Sequence, residues 1–309
     1  MRFRSLLPVS VAVGVAEQLW VATGYRFFPV AEPSALSAEL EALAAAAELL
    51  GTILVASEGI NLSVAGTAKG LDAFEAGLSS YCETLPLQRS PAGERRPFRR
   101  LRVRIREEIV TLGRSCSELD FEASNPVGPD RWDALLDDPD IPVVDVRNRY
   151  EVAVGRFDGA VEPETESFRD FPAWVEAHLD PEQLPAVAIY CTGGIRCTKA
   201  AAWMRSQGFR TVYELDGGVL AYLAARPEGA SRWRGDCFVF DDRVGLAAGL
   251  KPGDLRLCRA CGEPFSVAHG ERDQADGQRL PEALPDLGGC GRADCPAVQD
   301  GALSKEQHA

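Results

Sequence analysis

Ala188-Ile-Tyr190-Cys191-Thr-Gly-Gly-Ile-Arg196-Cys197-Thr198 reads as a buried strand that hands a cysteine to a glycine-containing turn, which then opens a helix. The helix is expected over 198–207, closed by Gly208. Upstream, 187–190 is a continuous apolar run, as a strand buried on both faces requires. Two more such runs, 141–146 and 212–215, flank it. Strands alternating with helical patterns imply an α/β domain with a parallel sheet, placed here at 125–231.

The turn carries the sharpest chemistry in the chain. Successive backbone N–H groups converge where a strand passes through such a turn into a helix, and the helix dipole adds partial positive charge. Both favour the thiolate of Cys191, which is the nucleophilic form. Gly193 and Gly194 let the loop wrap tightly. Arg196 is expected to close the ring with a fixed positive charge able to hold an anionic group. The plainer alternative is a structural cysteine packed at a strand end. Asp145 and Arg147, at the end of another buried strand, read as an ion pair that holds the domain's loops or supports the Cys191 loop. Cys197 reads either as a resolving thiol or as a small residue packed at the helix start.

The segment before this domain has a different pattern. Residues 21–30 are rich in β-branched and aromatic side chains and read as a strand. A helix follows Pro33 with Ser34 as its expected N-cap, then strands at 52–56 and 62–65, then a helix after Thr67. Leu101, Val103 and Ile105 alternate with arginines as a half-buried strand. The order β-α-β-β-α-β predicts a ferredoxin-like sandwich at 21–114. Arg100, Arg102, Arg104 and Arg106 are expected on one face, joined nearby by Arg96 and Arg99. Guanidinium groups in a row suit an RNA backbone, and Phe98 suits a base. A solvated strand face is the competing reading. Glu58-Gly-Ile-Asn61 reads as a hairpin turn or as a substrate-facing element.

The chain as a whole has 309 residues, 46% hydrophobic and 26% charged, with a net charge of -13. Its pI is 4.8 and its mean hydropathy -0.11. No run approaches a membrane span, and the acidity argues against a protein that coats DNA or RNA indiscriminately. Residues 1–20 have Arg2 and Arg4 before an apolar stretch broken by Pro8; a poorly ordered leader or first strand is expected rather than a secretory signal. Nine cysteines, an odd number, indicate a reducing, cytoplasmic setting with thiol or metal chemistry.

Residues 232–309 form a Cys-rich, Gly- and Pro-rich tail, with a polar loop expected at 270–286. Cys258-Arg-Ala-Cys261 is a metal-knuckle pair, and Cys290 and Cys295 offer two more thiolates. Together they make a candidate structural zinc site, with His269 as an alternative ligand and unliganded thiols as the competing reading.

Asp145-Val-Arg147, Glu151, Gly155-Arg-Phe-Asp-Gly-Ala160 and Cys191-Thr-Gly-Gly-Ile-Arg196 together resemble a rhodanese domain. In that family the loop cysteine carries sulfur as a persulfide. Cysteine phosphatases, similar in layout, place five residues between cysteine and arginine; this chain has four, Thr192, Gly193, Gly194 and Ile195. A smaller ring suits a sulfane sulfur better than a phosphate. Adding Glu58-Gly-Ile-Asn61, Arg104-Ile-Arg-Glu-Glu-Ile-Val110, Phe171-Pro-Ala-Trp174, Asp216-Gly-Gly218 and Cys237-Phe-Val-Phe-Asp-Asp-Arg243, the chain from Val21 to Arg243 is similar to the rhodanese-containing tRNA uridine hydroxylases.

That resemblance implies oxygen-dependent 5-hydroxylation of the wobble uridine of tRNA. It implies an essential Cys191 that passes through a persulfide, with the anticodon region of tRNA as partner and a persulfide donor protein beside it. Molecular oxygen would be a co-substrate. No flavin fingerprint and no iron-binding facial triad is visible, and the only histidines are His178, His269 and His308. A plain sulfurtransferase moving sulfane sulfur to an acceptor thiol is the main alternative, and a non-catalytic RNA-binding module the third. Neither a membrane nor DNA is an expected partner.

Overall fold

A computed structural model describes residues 17–83, 85–94, 96–114, 121, 123–226, 229–267, 290, 295 and 296. Most of the leader, Arg95, Cys116, His269 and the expected 270–286 loop lie outside them.

The first unit contains β1 (Leu19–Phe27), α1 (Pro33–Ala46), β2 (Leu50–Ala56), β3 (Gly59–Thr67), α2 (Ala68–Leu78), β4 (Gln88–Pro91) and β5 (Leu101–Ile105). Its sheet runs β4-β1-β3-β2-β5. The first four strands are the ferredoxin-like arrangement. The strand closing the β-α-β-β-α-β unit is β4, against β1; the arginine-bearing β5 is a fifth strand, at the opposite edge and parallel to β2. Periodicity identifies a strand but does not say which edge it joins. Leu36, Leu40, Leu71 and Phe74 pack one face of the sheet, joined by Leu101 and Val103 of β5. Thr67 caps α2 by accepting from the Gly70 N–H at 3.0 Å. Ser34 does not cap α1: the helix starts at Pro33, whose missing N–H suits the first turn, and Glu32 stands at the cap without a side-chain bond.

The second unit holds β6 (Asn125–Val127), α3 (Pro129–Leu136), β7 (Val143–Asp145), α4 (Arg149–Val152), β8 (Gly155–Phe157), α5 (Phe171–His178), β9 (Val187–Tyr190), α6 (Ile195–Ser206), β10 (Val212–Leu215) and α7 (Gly218–Ala225). Four strands form a parallel sheet in the order β6-β10-β9-β7. The central β9 is buried at every position, as its unbroken apolar run requires. Cores lie on both faces, one around Phe171, Ala200 and Met204, the other around Trp132, Phe157 and Tyr222.

Beyond 231 the chain does not begin as a separate tail. β11 (Trp233–Gly235) pairs antiparallel with β8, and Trp233 enters the core around Phe157. Two short ladders follow: β12 (Cys237–Phe238) with β13 (Gly245–Leu246), and β14 (Leu255–Leu257) with β15 (Pro264–Ser266). Among the described residues no helix is long and apolar enough to cross a membrane.

Candidate active site

Cys191 follows the last residue of β9, and α6 begins four residues later, three residues earlier than periodicity alone suggested. Gly194 is the reason. It sits at φ +96°, a region L side chains rarely adopt, and a Cβ there would come within 2.8 Å of the Tyr25 hydroxyl. Gly193, by contrast, faces open space, so tightness comes from Gly194 alone of the pair.

The loop is fastened from below by α7. The Val219 N–H donates to the Cys191 carbonyl at 2.9 Å and the Leu220 N–H to the Thr192 carbonyl at 3.0 Å. Gly218, at φ +66°, makes this approach possible, since a Cβ would lie 2.6 Å from both carbonyl oxygens. With its carbonyls engaged on that side, the loop turns N–H groups toward the sulfur. The Gly194 N–H donates to Cys191 Sγ at 3.1 Å.

Burial on its own would push the Cys191 thiol up. The Cys197 S–H, the Arg196 charge and the N–H groups of Cys197 and Gly194 outweigh it and bring the thiol down to about 6. Cys197 moves the other way, well above its ordinary value, first through burial and then because it is hydrogen-bonded to Cys191. At neutral pH the pair is therefore a thiolate beside a proton-bearing thiol.

Arg196 differs from its expected role. Its Nη1 donates to Glu151 Oε2 at 2.6 Å and its Nη2 to Oε1 at 2.7 Å, so the guanidinium is taken up by a buried carboxylate rather than left free for an anionic group. Burial would raise the Glu151 carboxyl, but the Arg196 and Arg147 charges hold it below its usual range. Thr192 donates to the same carboxylate at 2.9 Å, so both ends of the loop hang from Glu151. Asp145 and Arg147 form a second buried pair at 2.5 Å, with Arg147 also donating to the carbonyls of Glu151 and Gly155. Its guanidinium lies over the rings of Trp233 and Tyr190, 4.8 and 5.6 Å from their centroids.

The first unit supplies the opposite wall. The helix-free face of its sheet and the Cys191 loop enclose a cleft of about 1450 Å³, lined among others by Tyr25, Phe27, Leu54, Asn61, Cys191 and Phe240. The Tyr25 hydroxyl is 2.9 Å from Thr198 Oγ1. Lys199, wholly buried, places Nζ 2.8 Å from both oxygens of Glu58, 2.6 Å from Glu108 and 2.9 Å from the Val110 carbonyl. Glu58 also accepts from the Ile109 N–H, and the Asn61 amide donates to the Ile109 carbonyl. Glu58 thus braces the joint between the units, while Asn61 both braces and lines the cleft. Tyr25, Lys199, Glu108 and Phe240 were not singled out in the sequence. Of these, Glu108 and Phe240 left a signal only as members of quoted motifs, Arg104 to Val110 and Cys237 to Arg243.

The basic residues spread along one rim. Thr52 pairs with Arg102 and Leu54 with Arg104 in register, and Thr52 and Leu54 line the cleft, so both arginines extend the same face outward. Arg106 lines the cleft itself. Arg100 precedes β5 and Arg106 follows it, so the expected row of four is two strand residues with one neighbour at each end. Arg96 is exposed, and Arg99 makes a long 3.7 Å pair with Asp242.

In the tail, the β14–β15 turn carries Cys258 and Cys261, and the chain returns Cys290 and Cys295 to them. All four sulfurs lie within 4.8 Å of one another, with Cys258–Cys295 at 3.7 Å and Cys261–Cys290 at 3.5 Å. A tetrahedral zinc with Zn–S bonds of ~2.3 Å needs sulfurs ~3.8 Å apart. The donor set and spacing fit.

Residues 19–109 match the UPF0176 acylphosphatase-like domain and 129–225 the rhodanese-like domain. Proteins named tRNA uridine(34) hydroxylase resemble the whole arrangement. That of Deinococcus radiodurans is 47% identical across 80% of this chain and 82% of its own length. That of Caulobacter vibrioides is 47% identical over 80% of each chain. The Synechococcus relative is 43% identical over 85% of each. The chain belongs to the tRNA uridine(34) hydroxylase family. In this member of the family the rhodanese loop and the acylphosphatase-like sheet are two walls of one cleft, joined through Lys199 and Tyr25.

Proposed function

We propose that the protein hydroxylates C5 of the wobble uridine, position 34, of tRNA, with molecular oxygen as co-substrate and Cys191 as the essential reactive group. The observation that carries this reading is the Cys191 thiol, lowered to about 6 at the base of a cleft walled by both units, in a chain of this family. Inserting oxygen at C5 sends the second oxygen atom to water and consumes two electrons and two protons. The Cys191 thiolate and the Cys197 thiol passing to a disulfide would supply the two electrons and one proton, and solvent the second proton. Cys191 also matches the position at which rhodanese loops carry sulfane sulfur, so a Cys191 persulfide loaded by a donor protein is part of the proposal.

The tRNA anticodon region would enter across the rim bearing Arg102, Arg104 and Arg106, with Arg96, Arg99 and Arg100 nearby. The four tail cysteines would hold a structural zinc, with all four positions taken by protein and no part in the chemistry. The cytoplasm, where tRNA and reduced thiols coexist, is the expected compartment.

Comparing nucleosides of tRNA from cells with and without the gene tests the function. Loss of 5-hydroxyuridine derivatives is expected, restored by the wild type and not by Cys191→Ser. The alternative of a sulfurtransferase draws on the same cradled thiolate. Unchanged tRNA together with turnover of thiosulfate would favour it.

A further inference from the structure

Phe240 is the most exposed large hydrophobic residue among those described, with 62% of its surface accessible. It lies on the wall of the cleft that also contains Cys191 and Arg196. Its ring packs edge-on to Phe238, with centroids 5.3 Å apart at 80°, and lies 5.9 Å from the Arg196 guanidinium. That guanidinium is fixed by Glu151, so the ring rests on a rigid base. The segment is pinned as well: Asp242 N–H donates to the Pro97 carbonyl, and Arg243 donates to Ser90 and to the Pro91 carbonyl. A singly exposed apolar side chain needs no explanation by itself; Phe240 differs in that its ring is held on a fixed base on the wall of the cleft that contains Cys191.

The pinning places Phe240 at the β4 edge of the first sheet. Arg102 and Arg104 lie on β5, the opposite edge strand of that sheet. Tyr25 of β1, under the Cys191 loop, lies between them. The cleft's volume of about 1450 Å³ exceeds the roughly 300–1,000 Å³ of a site for one small molecule. A cleft with arginines at one edge of its sheet wall, Cys191 on the facing wall and an exposed aromatic ring toward the other edge has the parts of a single-strand binding track.

We propose that Phe240 is the stacking platform for the nucleobase next to the reacting one, in a single-stranded RNA segment that crosses the cleft. This rests on the tRNA reading above and adds to it a contact with a neighbouring base. Stacking requires only a π-face, so Phe240 contributes affinity while the cleft beside Cys191 selects the base that reacts.

The test measures binding of an anticodon stem-loop RNA to the full-length protein, with Cys191 thiol titration showing that the loop is intact in each variant. Phe240→Ala is expected to weaken binding roughly 5- to 150-fold, the range for one base stacked on an aromatic side chain. Phe240→Trp is expected to keep wild-type affinity. Against a stem-loop lacking the base on one side of the wobble position, wild type and Phe240→Ala should bind alike, whereas removing the base on the other side should leave their difference intact. Equal binding of the intact RNA by wild type and Phe240→Ala overturns the stacking role. A penalty that persists on both abasic RNAs also overturns it and marks Phe240 as a contact for something other than a base. A wild-type protein that binds no stem-loop overturns the tRNA reading, and the stacking role with it.

Discussion

Lys199 Nζ lies 2.8 Å from both carboxylate oxygens of Glu58, across 141 positions of sequence. Lys199 is fully buried and belongs to the helix that the Cys191 loop opens, while Glu58 sits in the hairpin of the first sheet. A single buried ammonium, shared by two carboxylates and a carbonyl, is thus one of the ties across the cleft between the units.

Replacing that ammonium with an apolar chain of similar length strands Glu58 and Glu108. Lys199→Met is expected to cost about 3–5 kcal/mol, the usual penalty for removing one partner of a buried ion pair. Denaturant titration measures it. Glu58→Gln in the Lys199→Met background should recover part of the loss, which an effect confined to α6 would not allow.

The Cys191 thiolate has a testable pH signature. Ultraviolet absorbance of the thiolate, as wild type minus Cys191→Ser, should titrate near pH 6. Cys197→Ala removes the S–H donor and should move that midpoint upward, and Cys197→Ser should move it less.

The same shift links to stability. The Cys191 pKa falls from 9.0 in the unfolded chain to about 6 in the folded one, so between those values the unfolded chain binds more protons. Stability from this group is fully present above pH 9 and is lost as pH falls through 6. The unfolding free energy of wild type should rise with pH across that window relative to Cys191→Ser, by an amount on the order of a few kcal/mol. Parallel curves for the two proteins would contradict the assignment.

Binding of tRNA should weaken steeply with salt. Each phosphate neutralised contributes about 0.7–0.9 to the slope of log affinity against log salt. Arg102→Ala and Arg104→Ala should each flatten that slope by about that amount without changing the thiol titration.

The tail makes a stoichiometric prediction. Elemental analysis should find about one zinc per chain, and Cys290→Ser should abolish it. Protein purified without chelators and free of zinc would remove the metal reading.

Much of this was readable along the chain, for a physical reason. Cys191, Thr192, Gly194 and Arg196 fall within six consecutive residues, so strand, turn and helix start appear in one short stretch, and the spacing of Cys258 and Cys261 is equally local. What escaped is what depends on distant segments meeting. Arg196 is answered by Glu151, 45 residues away, which turned a presumed ligand-binding charge into a tether for the loop. Tyr25 is an ordinary strand tyrosine until Thr198 is brought to it, 173 residues on. The arginine strand was visible as a strand, yet its place at the edge beside β2 follows from chain crossover, which alternation does not encode.

The position of that strand bears on how partners arrive. A net charge of -13 makes the chain as a whole unattractive to a polyanion. Among the described residues Arg102 and Arg104 have no acidic partner, and on the proposed reading they draw tRNA to the rim of the cleft that holds Cys191. On that reading the selection of substrate begins with encounter rates, before fit is tested.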